Sequence, residues 1–345
     1  MPKRLHVTCC VALALSSGVL SQTACAQHSR TTSLLSMLTD NAFWTLSEAA
    51  SEPAGTFTHS ENLVSNERDF AQTIRVLRPT GGVYVGVGPE QNFSYIARLQ
   101  PDMAFIIDIR RENRNLHLMY KALFEASADR ADFVSRLFSR GRPAALDSQT
   151  PVQQMFAEYA TVQPSRLLFD STARLIRDRL LHTHRFPLSE EDLEWIAHAF
   201  HVFYSEGPEI DYGRFQTADP TEPSYSVLMT AQDFNGQSRS YLATEVGFAF
   251  VKDLHARNLI VPVVGDFSGP TSIRGIGDYV RQHGARLTAF YSSNVEVYLN
   301  RDQTARFCAS LTTLPHDGRS WFIANKGVES FGGKLSRCAP DARRP

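Results

Sequence analysis

No stretch of this 345-residue sequence stays apolar over the roughly 20 residues that a membrane-spanning helix needs. The nearest approach, Val7 to Leu20, is interrupted by Ser16, Ser17 and Gly18. Charge of neither sign prevails either: 35 Lys and Arg stand against 36 Asp and Glu, a formal charge of −1. That balance argues against nucleic acid or an anionic membrane surface as a partner. Cysteine is scarce, and three of the five (Cys9, Cys10 and Cys25) fall near the start. His198 and His201 share a helical face and His182 and His184 flank a loop, but no Cys or Glu set joins them at ligand spacing, so no metal site is expected. No phosphate-loop lysine follows a glycine turn, which disfavours nucleoside triphosphate hydrolysis. In Gly265-Asp266-Phe267-Ser268-Gly269, two residues rather than one separate Gly265 from the serine, so the G-x-S-x-G elbow is absent. Internal repeats and low-complexity blocks are lacking as well.

What is present begins with residues 1–26, which have the form of an export signal. Lys3 and Arg4 give the charged start, Val7 to Leu20 the apolar run, and Ala24-Cys25-Ala26 the small-residue cleavage site. Retention as an anchor, or lipidation of Cys25, are the alternatives, although Gln22 stands where a lipoprotein signal wants an aliphatic residue. Cleavage leaves 33 basic against 36 acidic residues, a formal charge of −3, and only two cysteines, Cys308 and Cys338. In a periplasmic or secreted chain these two are expected to form one disulfide, with two free thiols as the alternative.

The body reads as alternating strands and helices. Residues 27–60 hold a helix, Leu34 to Ala50, and a Gly/Pro/Ser-rich linker. Strands are expected at Val83–Val87, Ala104–Asp108, Tyr225–Thr230, Leu259–Val264, Arg286–Tyr291 and Trp321–Ala324, with helices between them. The Pro262 inside a strand demands an edge or a bulge. Between the second and third of these strands lie only helical patterns, at Asp132–Arg140, Pro151–Ala160, Arg166–Leu181 and Ser189–Ser205, where Ser189 and Asp192 make a capping pair. The expected fold is therefore α/β: a doubly wound, mostly parallel, Rossmann-like sheet over 61–335. It carries helices on both faces and a helical insertion, 130–210, between its halves, and residues 336–345 form a flexible tail.

In such a sheet ligands bind outside the carboxyl ends of the strands. That rule gathers Gly86, Gly88, Glu90, Gln91 and Asn92 with Asp108 and Arg110 on one rim. It adds Asp233 and Asn235, Asp266 and Ser268, and Ser292, Ser293, Asn294 and Glu296. A strand running into the turn Gly86-Val87-Gly88 lets backbone approach a ligand, and Asp108, twenty residues after Gly88, is placed to accept hydrogen bonds from ribose hydroxyls. The bland alternative is a tight turn without a ligand. Asn62, Ser65, Asn66 and Glu67 either cap a helix or cover the cleft. Asp266 either holds turn amides or acts on a ligand.

Through Val83 to Asn92 and Asp108, residues 60–130 resemble the class I S-adenosylmethionine-dependent methyltransferases. The resemblance implies that Gly86 and Gly88 approach the methionine part of that cofactor and that Asp108 binds its ribose, with Glu90, Asn92, Asn66 and Glu67 alongside. Asp233, Asp266 and Asn294 would then orient a methyl acceptor. Two positions depart from the pattern: Tyr84 replaces the usual acid and Glu90 the third glycine. The chain also resembles a group of exported bacterial proteins through Asn62-Leu63-Val64-Ser65-Asn66-Glu67 and Gly265-Asp266-Phe267-Ser268-Gly269-Pro270. That likeness supplies no function. A non-catalytic, exported ligand-binding or interaction protein that keeps the fold is the competing expectation.

Overall fold

The computed structural model describes residues 33–57, 61–215, 222–325 and 327–339. The expected signal, residues 1–26, and residues 340–345 of the expected tail lie outside them, while 336–338 of that tail are the last turn of helix Phe331–Cys338. Six strands form one sheet: β1 (Val83–Val87), β2 (Met103–Asp108), β3 (Ile260–Val264), β4 (Leu287–Ser293), β5 (Trp321–Ala324) and β6 (Gly327–Ser330). Their order is β3-β2-β1-β4-β5-β6, parallel throughout except for the antiparallel β6. This is a doubly wound α/β sheet of Rossmann-like order, and the order turns back between β1 and β4. Every residue of β2 and β3 is buried, the apolar run that a strand covered on both faces requires.

Side-chain alternation shows the two covers. Tyr291 of β4 meets Tyr95 of helix Gln91–Leu99 at 4.7 Å, whereas its neighbour Phe290 meets Phe307 of helix Arg301–Leu311 at 5.8 Å. On the first face, Phe93 takes edge-on contacts from His117, Tyr120, Phe124, Tyr241 and His255. Each such contact adds about 0.5–1.5 kcal/mol beyond simple burial.

The Pro262 problem is solved at an edge, as expected. β3 is the outermost parallel strand, and helix Asp40–Ala50 with the segment after it lies along its free side. Ser47 Oγ donates to Pro262 O, Val264 N donates to Ser51 Oγ at 3.0 Å, and Glu52 N donates to Val264 O at 2.8 Å. An edge that would otherwise present unpaired groups, at about 1–3 kcal/mol each when buried, is thus closed.

The helical segments expected after β2 are present as Arg130–Leu137, Val152–Ala160, Arg166–Asp178 and Glu190–Glu206, all in the crossover from β2 to β3. Ser189 and Asp192 form the expected capping box. Asp192 also accepts from Arg111 and Asn115 of helix Arg111–Ala126, tying this block to the sheet. Although burial works to raise it, these bonds hold the Asp192 carboxyl well below the usual carboxylate range. Cys308 and Cys338 are bonded, joining helix Arg301–Leu311 to helix Phe331–Cys338 across 30 residues. A loop of that length is stabilised by about 3–4 kcal/mol in the chain-entropy account.

Two strand assignments need correction. Tyr225–Thr230 is a helix: Ser224 Oγ accepts from Val227 N, and Tyr225, Leu228 and Met229 are buried while Val227 is half exposed. A six-residue aromatic and β-branched run fits either period, and the serine cap decides it. β6 was not expected, because Gly327-Val328-Glu329-Ser330 shows neither alternation nor a buried run. Helix Phe70–Val76 also starts later than Ser65 or Asn66, so neither caps it.

Candidate functional site

At the carboxyl ends of β1 to β4 opens a cleft of about 270 Å³, near the lower limit of roughly 300 Å³ for small-ligand sites. Gly88 and Pro89 come from the β1 turn, Asp108 and Arg110 from β2, Asp266 from β3, and Tyr291, Ser293 and Asn294 from β4. Gly55 N donates to Ile109 O, which leads the segment after helix Asp40–Ala50 across the strand ends and brings Phe57 to the cleft. There its ring meets that of Tyr298 edge-on at 5.0 Å.

The two glycines of the turn do different things. A Cβ on Gly86 would lie 2.0 Å from Asn92 Oδ1 and 2.6 Å from Tyr84 Oη, the two atoms joined by a 2.9 Å hydrogen bond. Gly86 therefore serves packing beneath the cleft. Gly88 has φ +76° and, among the described residues, nothing within 4 Å of where a Cβ would be, so its backbone is presented to the cleft. The turn is held from below. Asn92 Nδ2 donates to the carbonyls of Val87, Gly88 and Pro89, and His117 Nε2 donates to Gly88 O at 2.9 Å. Burial lowers the His117 pKa to about 4, so the ring is neutral near pH 7 and its Nε2 carries the proton that a carbonyl requires.

Asp108 lines the cleft, but Arg110 already holds it. Arg110 Nε and backbone N both reach Oδ1 at 3.0 Å, and Nη2 reaches Oδ2 at 3.0 Å, with both residues buried. A carboxylate offers about four acceptor positions; among the described residues three are used, which leaves one on Oδ2.

Glu90 and Glu67 lie behind the cleft wall. Glu90 is fully buried and accepts Ser65 N through both oxygens at 3.1 and 3.2 Å, and burial raises its pKa to about 7. Glu67 accepts from Ser293 Oγ at 2.5 Å, and burial again raises its carboxyl pKa against the opposing bond from Ser293. Ser293 itself has φ +51°, a left-handed conformation that costs a non-glycine residue about 1–3 kcal/mol. Thus Asn62–Glu67 is a loop pinned by two carboxylates, the buried Glu90 and the partly buried Glu67: Leu63 and Val64 are core, while Asn62, Ser65 and Asn66 face the cleft. Asn62 Oδ1 is buried with no hydrogen-bond partner among the described residues.

Gly265–Pro270 also has a local cause. The Glu52 carboxylate accepts from the amides of Asp266, Thr271 and Ser272, covering the N-terminus of helix Ser272–Gln282. A Cβ on Gly269 would lie 2.0 Å from that carboxylate. Asp266 Oδ1 holds Ser268 N at 2.7 Å, the turn role, while Asp266 also lines the cleft.

The structure thus brings together Gly88, Asp108, Asp266, Asn294 and Asn66 at the cleft, and sets Gly86, Glu90, Asn92 and Glu67 beneath it. Asp233 does not line the cleft. With Tyr225–Thr230 helical it follows no strand; it holds Arg239 and the amides of Asn235 and Gln237. Glu296 pairs with Lys334. Sequence reasoning passed over Phe57, Tyr212 and Tyr298, which line the cleft from loops and short turns with no periodic signal, and Glu52, whose partners lie more than 200 residues away. Tyr291 was read only as the end of a strand.

No helix among the described residues is long and apolar enough to cross a membrane. No curated protein matches the chain. One family model, described as Domain of unknown function (DUF7790), matches residues 62–334. That span takes in the whole sheet, the Asn62–Glu67 loop, the Gly88 turn and the Gly265–Pro270 segment, and the chain therefore belongs to the DUF7790 family.

Proposed function

We propose that this cleft binds an adenosyl-bearing small molecule, S-adenosylmethionine being the first candidate, and that the chain transfers its methyl group to a small acceptor. The observation that carries the proposal is Gly88: a positive-φ glycine with open space over it, at the end of the central strand where the sheet order turns back. The open position on Asp108 Oδ2 suits one ribose hydroxyl. Asp266 and Asn294 are the remaining candidates for orienting the acceptor, and Asp233 leaves that set. Methyl transfer asks chiefly for in-line positioning in a dry site, so it needs no catalytic acid.

A second reading, binding without methyl transfer in an exported protein, is favoured by the Cys308–Cys338 bridge. Disulfides persist in oxidising compartments, and the expected signal at 1–26 points the same way. S-adenosylmethionine is an intracellular cofactor.

Isothermal titration calorimetry of the disulfide-bonded protein with S-adenosylmethionine and S-adenosylhomocysteine tests the proposal. Saturable binding by wild type, lost in Gly88→Val, supports it; no binding by folded wild type overturns it. Binding without release of S-adenosylhomocysteine, followed by mass spectrometry over a panel of acceptors, selects the second reading.

A further inference from the structure

The β4 end holds a hydroxyl–carboxylate pair that neither reading uses. We propose that Ser293 is a nucleophile and Glu67 its general base, making this corner of the cleft an acyl-transfer site for a small carboxylic ester.

Four observations carry it. Ser293 lines the cleft at the last residue of a central strand. Its backbone is left-handed at φ +51°, and the β4–β5 register shifts between Tyr291 and Ser293 so that Ser292 is the extra residue. Strained residues and bulges of this kind gather where a side chain must be aimed at a ligand. The Ser293 hydroxyl donates to Glu67 Oε1 at 2.5 Å, within the reach that links a nucleophile to its base. The base is held in turn, because the Glu67 backbone N–H donates to Ser65 Oγ at 3.3 Å.

The surroundings suit a proton acceptor. Tyr84 from β1, Tyr95 from helix Gln91–Leu99 and Tyr291 from β4 are the titratable groups that face Glu67, and burial keeps all three phenols neutral. Burial also moves the Glu67 carboxyl up from the ordinary range, the direction that strengthens it as a base. The step balances. Ser293 Oγ bonds to the acyl carbon as its proton passes to Glu67. The ester C–O bond breaks, and the departing alcohol oxygen takes that proton. Water then attacks the acyl-serine, giving its proton to Glu67, and Ser293 recovers a proton as the acid leaves.

The site stands beside the adenosyl-ligand proposal, not on it, and is read without that ligand. The experiment is labelling of the full chain, disulfide intact, with a fluorophosphonate, which esterifies activated serines with loss of fluoride. Intact mass and peptide mapping locate the adduct. We expect one adduct at Ser293, none in Ser293→Ala or Ser293→Gly, and a rate that falls about 100-fold or more in Glu67→Gln. Ser293→Gly relieves the left-handed backbone, and neither Ser293 variant should melt below wild type. The wild-type rate should rise with pH as Glu67 ionises and then level off. No adduct, an adduct at another serine such as Ser268, or an unchanged rate in Glu67→Gln overturns the proposal.

Discussion

Asp108 ends β2 and Glu67 reaches the end of β4 from the Asn62–Glu67 loop, and the surroundings of these two carboxylates differ in kind. Asp108 has a guanidinium on it, bidentate and buried; Glu67 has a serine hydroxyl and phenol rings around it, with no cation on its carboxylate among the described residues. A buried ion pair fixes charge and geometry. A carboxyl among hydroxyls is costly to ionise and ready to exchange a proton. One cleft therefore combines a rigid polar wall on the β2 side with a proton-active corner on the β4 side.

The largest way to break this contrast is Asp108→Ala, which leaves Arg110 buried without its carboxylate. We expect a loss of about 3–5 kcal/mol in urea denaturation, as for other broken buried pairs. A ligand-binding defect in that variant would consequently say little about ribose, and Gly88→Val is the cleaner probe. A stability close to wild type would show that Arg110 is not fixed by Asp108.

Next comes pH. Glu90 has its pKa raised to about 7, above the ordinary value near 4.5, so the folded state holds the proton more tightly than the unfolded chain. Stability from this group is present below pH 4.5 and is lost as pH rises through about 7. The full loss is of the order of 3 kcal/mol. Glu90→Gln should flatten that fall between pH 5 and 8, measured by urea midpoints at each pH. An unchanged slope would place the proton elsewhere.

The two glycines sharpen the comparison at a smaller scale. Gly86→Ala drives a methyl into the Tyr84–Asn92 bond and should cost about 2 kcal/mol as overpacking does. Gly88→Ala meets only open space and should cost about 1 kcal/mol of backbone strain, yet weaken ligand binding more than Gly86→Ala does. Thermal melts and calorimetry on the same two proteins separate these effects. The smallest change in stability is expected for Glu67→Gln, within about 1 kcal/mol of wild type, because the amide oxygen still accepts from Ser293.

The sequence was legible where burial writes a pattern. Continuous apolar runs located β1 to β5, the Pro262 anomaly located an edge, and strand ends located Gly88, Asp108, Asp266 and Ser293. It was illegible where a choice rests on contacts distant in sequence. Tyr225–Thr230 has a composition that serves strand or helix, and the misassignment carried Asp233 onto a rim it does not share. Glu90 and Asn92 sit at ligand-facing positions in the sequence, yet both turn inward, to Ser65 and to the turn carbonyls. The Arg110 clasp on Asp108 links residues two apart, but only the fold shows that both are buried and meet. Glu52, folded back on amides more than 200 residues later, leaves no local trace.

Hydrogen-exchange mass spectrometry of the disulfide-bonded protein with and without S-adenosylhomocysteine tests the central claim most directly. The account predicts slower exchange at residues 87–90, 108–110 and 291–295, with no change across 225–245, where Asp233 lies. Protection confined to 225–245, or none at saturating ligand in folded protein, would contradict it.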